Sequence, residues 1–550
     1  MKSTAQDETV GKEDLSVKVA KAAAFAGSLY FLLHSLWVIG GPERRVMEWL
    51  YDDSFYYLIT AKHWSEQRLA SFDGITVTSG YHPLWMWLCA VIYGVRTRLD
   101  LTYVRLCMTL AFGLTVCAFL LWARMAKVRR DSGALWALAL GATSYSALNN
   151  GLTVMEWPLV ILSWVLLHSL LLSAIERREQ EYVAGAMYVA AFAVGALGSL
   201  SRTDFGLIPA SYVVGAVVVT RRYGDWRGAK QALTALVGSV IGLATVFLYY
   251  RATTGSWLQK SAEVKQALAA LSSPFNPVPP LWQFLRVLFY LPALEVGFES
   301  KAMLLRVGLK VLVGLLLVGI VLVAACWRAI RPTAKLIFKR SAEDDFALVS
   351  GMVGIVGYLL VYSLNSQATY GWYTATVTGF ILILAARLLG SMRWQIAMSF
   401  VLPIMLLNLI TASVFGGNAR FQWQENAMGK RMRAEHPQVR MGGGDVGKPS
   451  FYNNGTMVNL DGLMNNEVFP YLVTGRIHCY ILQEHIEYLS DVGSITLPLT
   501  DGERARRHEA PLPWTRYFIP VRKDYAKDDS SRYLQTDFDA IRRSEECSKD

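Results

Sequence analysis

Asp52 and Asp53 stand side by side in the run EWLYDDSFYYLITAKHW (48–64), beside six aromatic side chains at 49, 51, 55, 56, 57 and 64. Adjacent carboxylates can serve proton transfer: one takes the proton of an attacking hydroxyl, and the neighbouring acid raises its pKa toward the working range. A second reading fits the same residues, because Asp is favoured at the N-terminus of a helix and the pair can cap the one that follows. The two roles are compatible. From Ser54 to Trp64, the residues Tyr57, Leu58, Ala61 and Trp64 recur at helical spacing with Lys62, His63 and Glu66 elsewhere. That pattern predicts an amphipathic helix lying in a membrane interface, a depth that suits aromatics. Acids held where membrane meets water suit a reaction in which a lipid-linked donor presents a reactive head to a polar acceptor arriving from outside.

Other polar residues each carry a functional and a structural reading. His82, in YHPLW (81–85), sits where the chain re-enters the apolar phase; it can contact a donor phosphate or make a structural hydrogen bond. Glu156 lies at the outer end of a span, where a carboxylate is expensive unless used or paired. Arg202 and Asp204, in SRTDF (201–205), can form an ion pair between two helix ends, or Arg202 can grip phosphate oxygens with its planar fork. Lys260, with Lys265 and Arg251, lies in the long loop 251–301 and can form the cationic side of a lipid-phosphate groove or a solvated basic face. Tyr370, Trp372 and Tyr373 in YGWYT (370–374) can stack on a sugar or belong to an ordinary aromatic belt. Asp445 and Asp461 sit beside glycines and read as turn residues, with acceptor recognition as the alternative. No His, Asp or Glu cluster with metal-ligand spacing is visible, and a divalent cation stays open.

These residues need elements to hold them, and composition says which. The chain of 550 residues has 53% apolar side chains against 18% charged ones, more apolar and less charged than globular usage of roughly 45–50% and about 25%. A helix crossing the hydrocarbon needs about 20 mostly apolar residues. Such segments occur at 22–40, 106–123, 133–155, 157–175, 182–201, 205–220, 231–250, 307–327 and 394–416, and the uncharged run 346–386 splits near Ser366 into two. That makes eleven spans. The segment 83–95 is apolar over only thirteen residues and reads as a re-entrant or interfacial helix.

Basic loops set the orientation, since Lys and Arg in short loops stay in the cytoplasm. Loops 124–130, 221–230 and 328–340 carry Arg124, Lys127, Arg129, Arg130, Arg221, Arg222, Arg227, Lys230, Arg328, Arg331, Lys335, Lys339 and Arg340. The expected protein is therefore an α-helical polytopic membrane protein in three parts. A cytoplasmic tail (1–21) precedes a transmembrane region (22–416) with outer loops 41–82 and 251–301. A mixed α/β soluble domain (417–550) follows on the outer face, with strand-like stretches at 451–460 and 515–521, helical periodicity at 466–489 and Gly-rich turns at 441–449.

The net charge of +11 does not indicate nucleic acid, because the basic residues lie between apolar runs and not on a soluble face beside base-stacking aromatics. Six cysteines show no metal-ligand spacing and exclude a disulfide scaffold; Cys479 and Cys547 lie outside apolar stretches, and no bridge between them is expected. A transporter or lipid flippase would also have many spans, but should show ionisable residues at mid-membrane and repeated halves. Neither is evident. A non-catalytic assembly or polysaccharide-binding protein, in which the tail does the work, is a third class.

The stretch DDSFYYLITAKHWSEQRLASFDGITVTSGYHPLW (52–85) resembles the first outer loop of bacterial GT-C membrane glycosyltransferases, whose pattern runs DD-x-FYY, then FDG, then T-x-G-[FY]-HPLW. NGLTVMEWPL (150–159) is similar to that family's Gly-x-Glu element, with a wider spacing here. SRTDF (201–205) is similar to its Arg-x-Asp element, and TMVNLDGLMNNEVFPYL (456–472) to its outer-domain motif. The resemblance implies an inverting transferase of the bacterial inner membrane, with Asp53 or Asp52 as base, acting on the outer face. Its donor would be a polyprenyl-phosphate sugar, with a pentofuranose such as arabinofuranose plausible, and its acceptor an envelope glycan or an exported protein. Superfamily members differ in their need for a divalent ion.

Overall fold

The computed structural model describes residues 3–144, 146–176, 182–224, 226–270, 341–364, 375–415, 423–437, 439–490, 518–520, 534–543 and 547. Among them the chain begins as long apolar helices: α1 (Ser3–Ile39), α5 (Leu101–Arg129), α7 (Trp157–Glu176), α8 (Tyr182–Ser201), α9 (Leu207–Tyr223) and α10 (Arg227–Thr254). Then come α12 (Ala342–Leu364), α13 (Ala375–Gly390) and α14 (Trp394–Phe415). Among the described residues six stretches, Leu15–Ile39, Leu101–Arg129, Trp157–Ile175, Thr203–Tyr223, Arg227–Thr254 and Ala342–Ser363, are long and apolar enough to cross a membrane. Leu33, Trp37, Leu120, Val237 and Leu248 stand exposed on these helices, as lipid-facing side chains do. The expected span 307–327 lies outside the described residues, as do all but the first two residues of the tight connection at 363–373, but α12 and α13 are separate helices.

One expected span ends early. The stretch 133–155 forms only α6 (Ser132–Thr143), followed by a π-turn (Ser146–Asn150) and an irregular stretch to Glu156. The irregular part is tolerated at this depth because it is enclosed by protein, with Asn149, Asn150, Thr153 and Glu156 all buried. The short segment after His82 forms α4 (Pro83–Arg96), fourteen residues.

Small residues let the spans approach. Gly238 and Gly242 of α10 lie against the backbone of α8, where a Cβ would fall 2.1 Å from the Phe192 carbonyl oxygen and 2.4 Å from that of Ala196. Such spacing is the usual means of packing helices in lipid, where burial of apolar surface gives no advantage. Inside the bundle a row of rings, Trp122, Trp164, His168, Tyr212 and Phe346, stacks at centroid distances of 5.3 to 5.8 Å. His168 meets the Tyr212 hydroxyl at 3.0 Å.

The ends of the bundle differ in charge chemistry. At one end two of the basic loops join acids, Arg222 to Asp345 at 2.7 Å and Arg129 to Glu343 at 3.8 Å, and Arg387 of α13 pairs with Asp344 at 2.9 Å. At the other end lie α2 (Glu43–Glu48), α3 (Asp52–Gln67), α4, and α11 (Lys260–Ala270). Here too sits the C-terminal part: α15 (Trp423–Glu435), α16 (Gly447–Tyr452), α17 (Phe469–Val473), α18 (Ile477–Gln483), α19 (Phe538–Arg542) and a five-stranded sheet. The sheet runs β2 (Val458–Asn459), β1 (Met441–Gly443), β3 (Tyr488–Ser490), β5 (Leu534–Thr536), β4 (Phe518–Pro520), with β1 parallel to β2 and β3 and the rest antiparallel.

The mixed α/β character agrees with the sequence, but three local expectations fail. Gly442 and Gly443 belong to an inner strand and not a turn; at Gly443 a Cβ would fall 2.3 Å from the Ser490 carbonyl oxygen, so the close strand approach requires the absent side chain. The start of the strand-like stretch 451–460 closes α16 instead. Cys479 and Cys547 are joined in a disulfide, contrary to expectation. A sequence separation of 68 residues gave no geometric signal, whereas folding brings their Cα atoms to 5.3 Å.

Candidate active site

The Asp pair does not cap its helix. Tyr51 is the N-cap of α3 and makes no side-chain cap bond, so Asp52 and Asp53 occupy the first turn, where negative charge meets the positive end of the helix dipole. Successive helical residues point about 100° apart, and the two carboxylates accordingly face different partners. Asp52, 3% exposed, accepts the backbone N–H groups of Gly447 and Lys448, each at 2.7 Å. Burial pushes its carboxyl above the usual range, opposed by these N–H groups and the Lys448 charge. Asp53 instead lines a cavity of about 280 Å³. Burial is the main cause that pushes its carboxyl up to about 6; the Lys265 charge opposes this, and Asp52 and Glu156 add to it.

The cavity lies where several elements meet. Tyr56 and Tyr57 of α3, Tyr81 and His82, Glu156, Arg202 and Asp204, Gln259 and Lys265, Tyr362 of α12, and Leu463 and Met464 of the C-terminal part all line it. Most of its charges are already organised. Arg202 donates from Nη1 to Glu156 Oε1 at 2.7 Å, from Nε to Asp204 Oδ1 at 2.7 Å, and from Nη2 to the Tyr362 hydroxyl at 3.3 Å. The Tyr362 hydroxyl donates in turn to Asp204, and Tyr57 donates to Glu156 Oε2 at 2.8 Å. Glu156 is thus a carboxylate paired at the N-terminal end of α7, and the Arg202–Asp204 ion pair forms as one of the two sequence readings anticipated.

His82 Nε2 is 3.7 Å from Glu156 Oε1, while its Nδ1 is buried with no hydrogen-bond partner among the described residues. Burial keeps the imidazole below its usual pKa, so it is neutral at pH 7.

Lys260 does not line the cavity. Its ammonium pairs with Glu263 and sits 4.7 Å from the Phe469 ring centroid, and Lys265 is the α11 lysine that the fold brings to the wall. Tyr370, Trp372 and Tyr373 lie outside the described residues. Asp461 makes the expected turn contact, accepting the Leu463 N–H at 2.8 Å. Burial raises its carboxyl to about 7, with Asp53 and Asp52 adding to the shift.

Tyr57 and Tyr362 were not singled out from sequence. The only available signal for Tyr57 was its place in the FYY run, and for Tyr362 its place at the end of an apolar segment. Metal binding at the cavity finds no matching donor set: among the described residues, the one group of three candidate ligand atoms within reach of each other is His478, Cys479 and Cys547, where both sulfurs are spent in the disulfide.

No protein-family profile matches the chain, and no curated protein does. Solved structures do. The chain is similar to ArnT from Cupriavidus metallidurans in the apo state, at 12% identity with a TM-score of 0.52, covering 97% of this chain and 99% of that one. It is also similar to the Archaeoglobus fulgidus oligosaccharyltransferase tethered to an acceptor peptide containing the NVT sequon, at 12% identity with a TM-score of 0.49, covering 85% and 68%. Because the likeness to ArnT runs almost end to end, the chain has the polytopic helical fold of that protein, with a small sheet in its C-terminal part.

Proposed function

We propose that this protein is a glycosyltransferase of the bacterial inner membrane that moves a sugar from a polyprenyl phosphate to an acceptor hydroxyl on the outer face. The observation that carries this reading is Asp53, a carboxylate of α3 that lines the cavity with its pKa raised to about 6. A base so tuned is ionised at neutral pH and still basic enough to accept a proton in the transition state. The fold shared with ArnT, itself a GT-C glycosyltransferase, supports the reaction class, and the motif resemblance at 52–85 supports the same loop.

In the proposed reaction the acceptor oxygen attacks the anomeric carbon from the face opposite the phosphate. Asp53 takes the hydroxyl proton as the new C–O bond forms. The bond between the anomeric carbon and the phosphate oxygen breaks, the electron pair leaves with the prenyl phosphate, and the anomeric centre inverts. Lys265 is the cavity-lining cation best suited to the leaving phosphate, since the Arg202 guanidinium is engaged by Glu156, Asp204 and Tyr362. His82 serves as a neutral hydrogen-bonding group beside them. A pentofuranose such as arabinofuranose is the sugar we favour, and an envelope glycan or exported protein the acceptor.

Two features support the orientation. The basic loops 124–130 and 221–230 lie at the end of the bundle opposite the cavity, and the Cys479–Cys547 disulfide suits an oxidising compartment. The test is to incubate membranes with synthetic prenyl-phosphate arabinofuranose and with the corresponding hexose donors, comparing wild type with Asp53→Asn. Transfer by the wild type that Asp53→Asn retains at full rate would remove the base assignment; transfer of no sugar at all would remove the function.

A further inference from the structure

Asp52 and Asp53 are neighbours in sequence with divided duties. We propose that Asp52 is a positioning residue: its carboxylate caps α16 and latches the C-terminal part onto the loop that carries Asp53, so that one wall of the cavity stands only when the latch is closed.

The geometry behind this begins with α16. Its own N-cap, Val446, has no side-chain oxygen to offer, and Asp52, almost four hundred residues earlier, supplies both oxygens: Oδ2 to the Gly447 N–H and Oδ1 to the Lys448 N–H, each at 2.7 Å. A carboxylate accepting two backbone N–H groups at a helix start combines capping with the favourable sign of the dipole. The contact leaves no room for a side chain on the other partner, since a Cβ at Gly447 would fall 2.3 Å from the Asp52 carbonyl oxygen.

The same seam continues on both sides of the latch. Phe55 meets Phe451 edge to face with centroids 5.3 Å apart, and the Ser79 N–H donates to Asn466 Oδ1 at 3.2 Å. At Gly80 a Cβ would fall 1.9 Å from the Leu463 carbonyl oxygen. Leu463 and its neighbour Met464 are the residues that the C-terminal part contributes to the cavity wall. Breaking the Asp52 contact therefore loosens the seam that holds that wall.

The kinetic arm of the test rests on the glycosyl-transfer reading; the structural arm does not. Hydrogen–deuterium exchange of the full-length protein in detergent is followed over peptides spanning 441–464 for wild type, Asp52→Asn, Gly447→Ala and Asp53→Asn. Asp52→Asn keeps one acceptor oxygen and turns an amide toward a backbone N–H, so exchange of the Gly447 and Lys448 region rises about tenfold. Gly447→Ala, which attacks the contact from the other side, gives the same pattern, and Asp53→Asn leaves it at the wild-type level.

With synthetic prenyl-phosphate arabinofuranose as donor, Asp52→Asn loses about tenfold in kcat/KM. It still shows the fall of activity at acid pH that marks a working base, whereas a residue acting directly in the chemistry takes that limb with it. Unchanged exchange in both Asp52→Asn and Gly447→Ala overturns the latch. Raised exchange with turnover abolished at every pH assigns Asp52 to the chemistry and also overturns it. Full activity in Asp53→Asn overturns the base assignment alone and leaves the exchange result to decide the latch.

Discussion

At the scale of single residues, the cavity pairs one tuned carboxylate with a set of structural ones. Replacing Asp53 by Asn should lower turnover about 10²- to 10⁴-fold, the range of a positioned general base, with little change in thermal stability. For the wild type, kcat/KM should fall as pH drops through about 6, because protonation of Asp53 removes the base. The groups facing it are Asp52, Tyr56 and Tyr57 on α3, His82, Glu156, Arg202 and Asp204, Lys265 on α11, Tyr362 on α12 and Asp461 in the C-terminal part. A flat profile between pH 5 and 8 would remove Asp53 from the rate-determining step.

Arg202 is expected to act on stability. Arg202→Met leaves the buried Glu156 and the partly buried Asp204 without their guanidinium, a loss of about 3–5 kcal/mol, read as a lower unfolding temperature in detergent. Asp53 and Glu156 were legible in the sequence because carboxylates beside a membrane are rare enough to notice. Tyr57 and Tyr362 were not, because a tyrosine near an interface is unremarked until its partner, 99 or 158 residues away, is in place. Choosing between Lys260 and Lys265 depends on helix phase: five residues apart they point about 140° from each other, which charge counting cannot resolve.

At the scale of elements, close approach decides where side chains are forbidden. Gly238→Leu should drive α10 from α8 and abolish monodisperse protein in detergent, since even a Cβ falls 2.1 Å from the Phe192 carbonyl oxygen. Gly113→Ala on α5, where nothing lies within 4 Å, should be neutral or gain up to about 1 kcal/mol from better helix propensity. Size-exclusion profiles and melting curves of the two variants check the contrast. Apolar length revealed most of the long helices; α7, α8, α9, α10 and α14 keep within a few residues of the expected limits, whereas α1 starts at Ser3, well before residue 22. It failed at 144–156, because apolar composition reads the same whether a stretch faces lipid as a helix or is wrapped irregularly inside protein. Gly442 and Gly443 misled for a related reason: glycine marks both turns and close strand contacts, and only the neighbouring Ser490 separates the two.

At the scale of the whole molecule, sidedness is the property most open to direct measurement. Ile75, 61% exposed on the loop beside α3, when replaced by Cys should react with a membrane-impermeant maleimide in intact spheroplasts. A Cys at Arg130 should react only after permeabilisation; the reverse pattern would invert the topology and sink the proposed reaction. Replacing Cys479 and Cys547 by Ser should destabilise the C-terminal part by about 2–5 kcal/mol, seen as earlier proteolysis of that part. The seam between α3 and the sheet-bearing part has a temporal consequence as well. A ribosome-bound chain that has inserted its first helices carries Asp53 on an open-sided groove, and Leu463 and Met464 close it only after their own translation. Biogenesis thus completes the cavity late, and a stalled or clipped nascent chain leaves it without that wall.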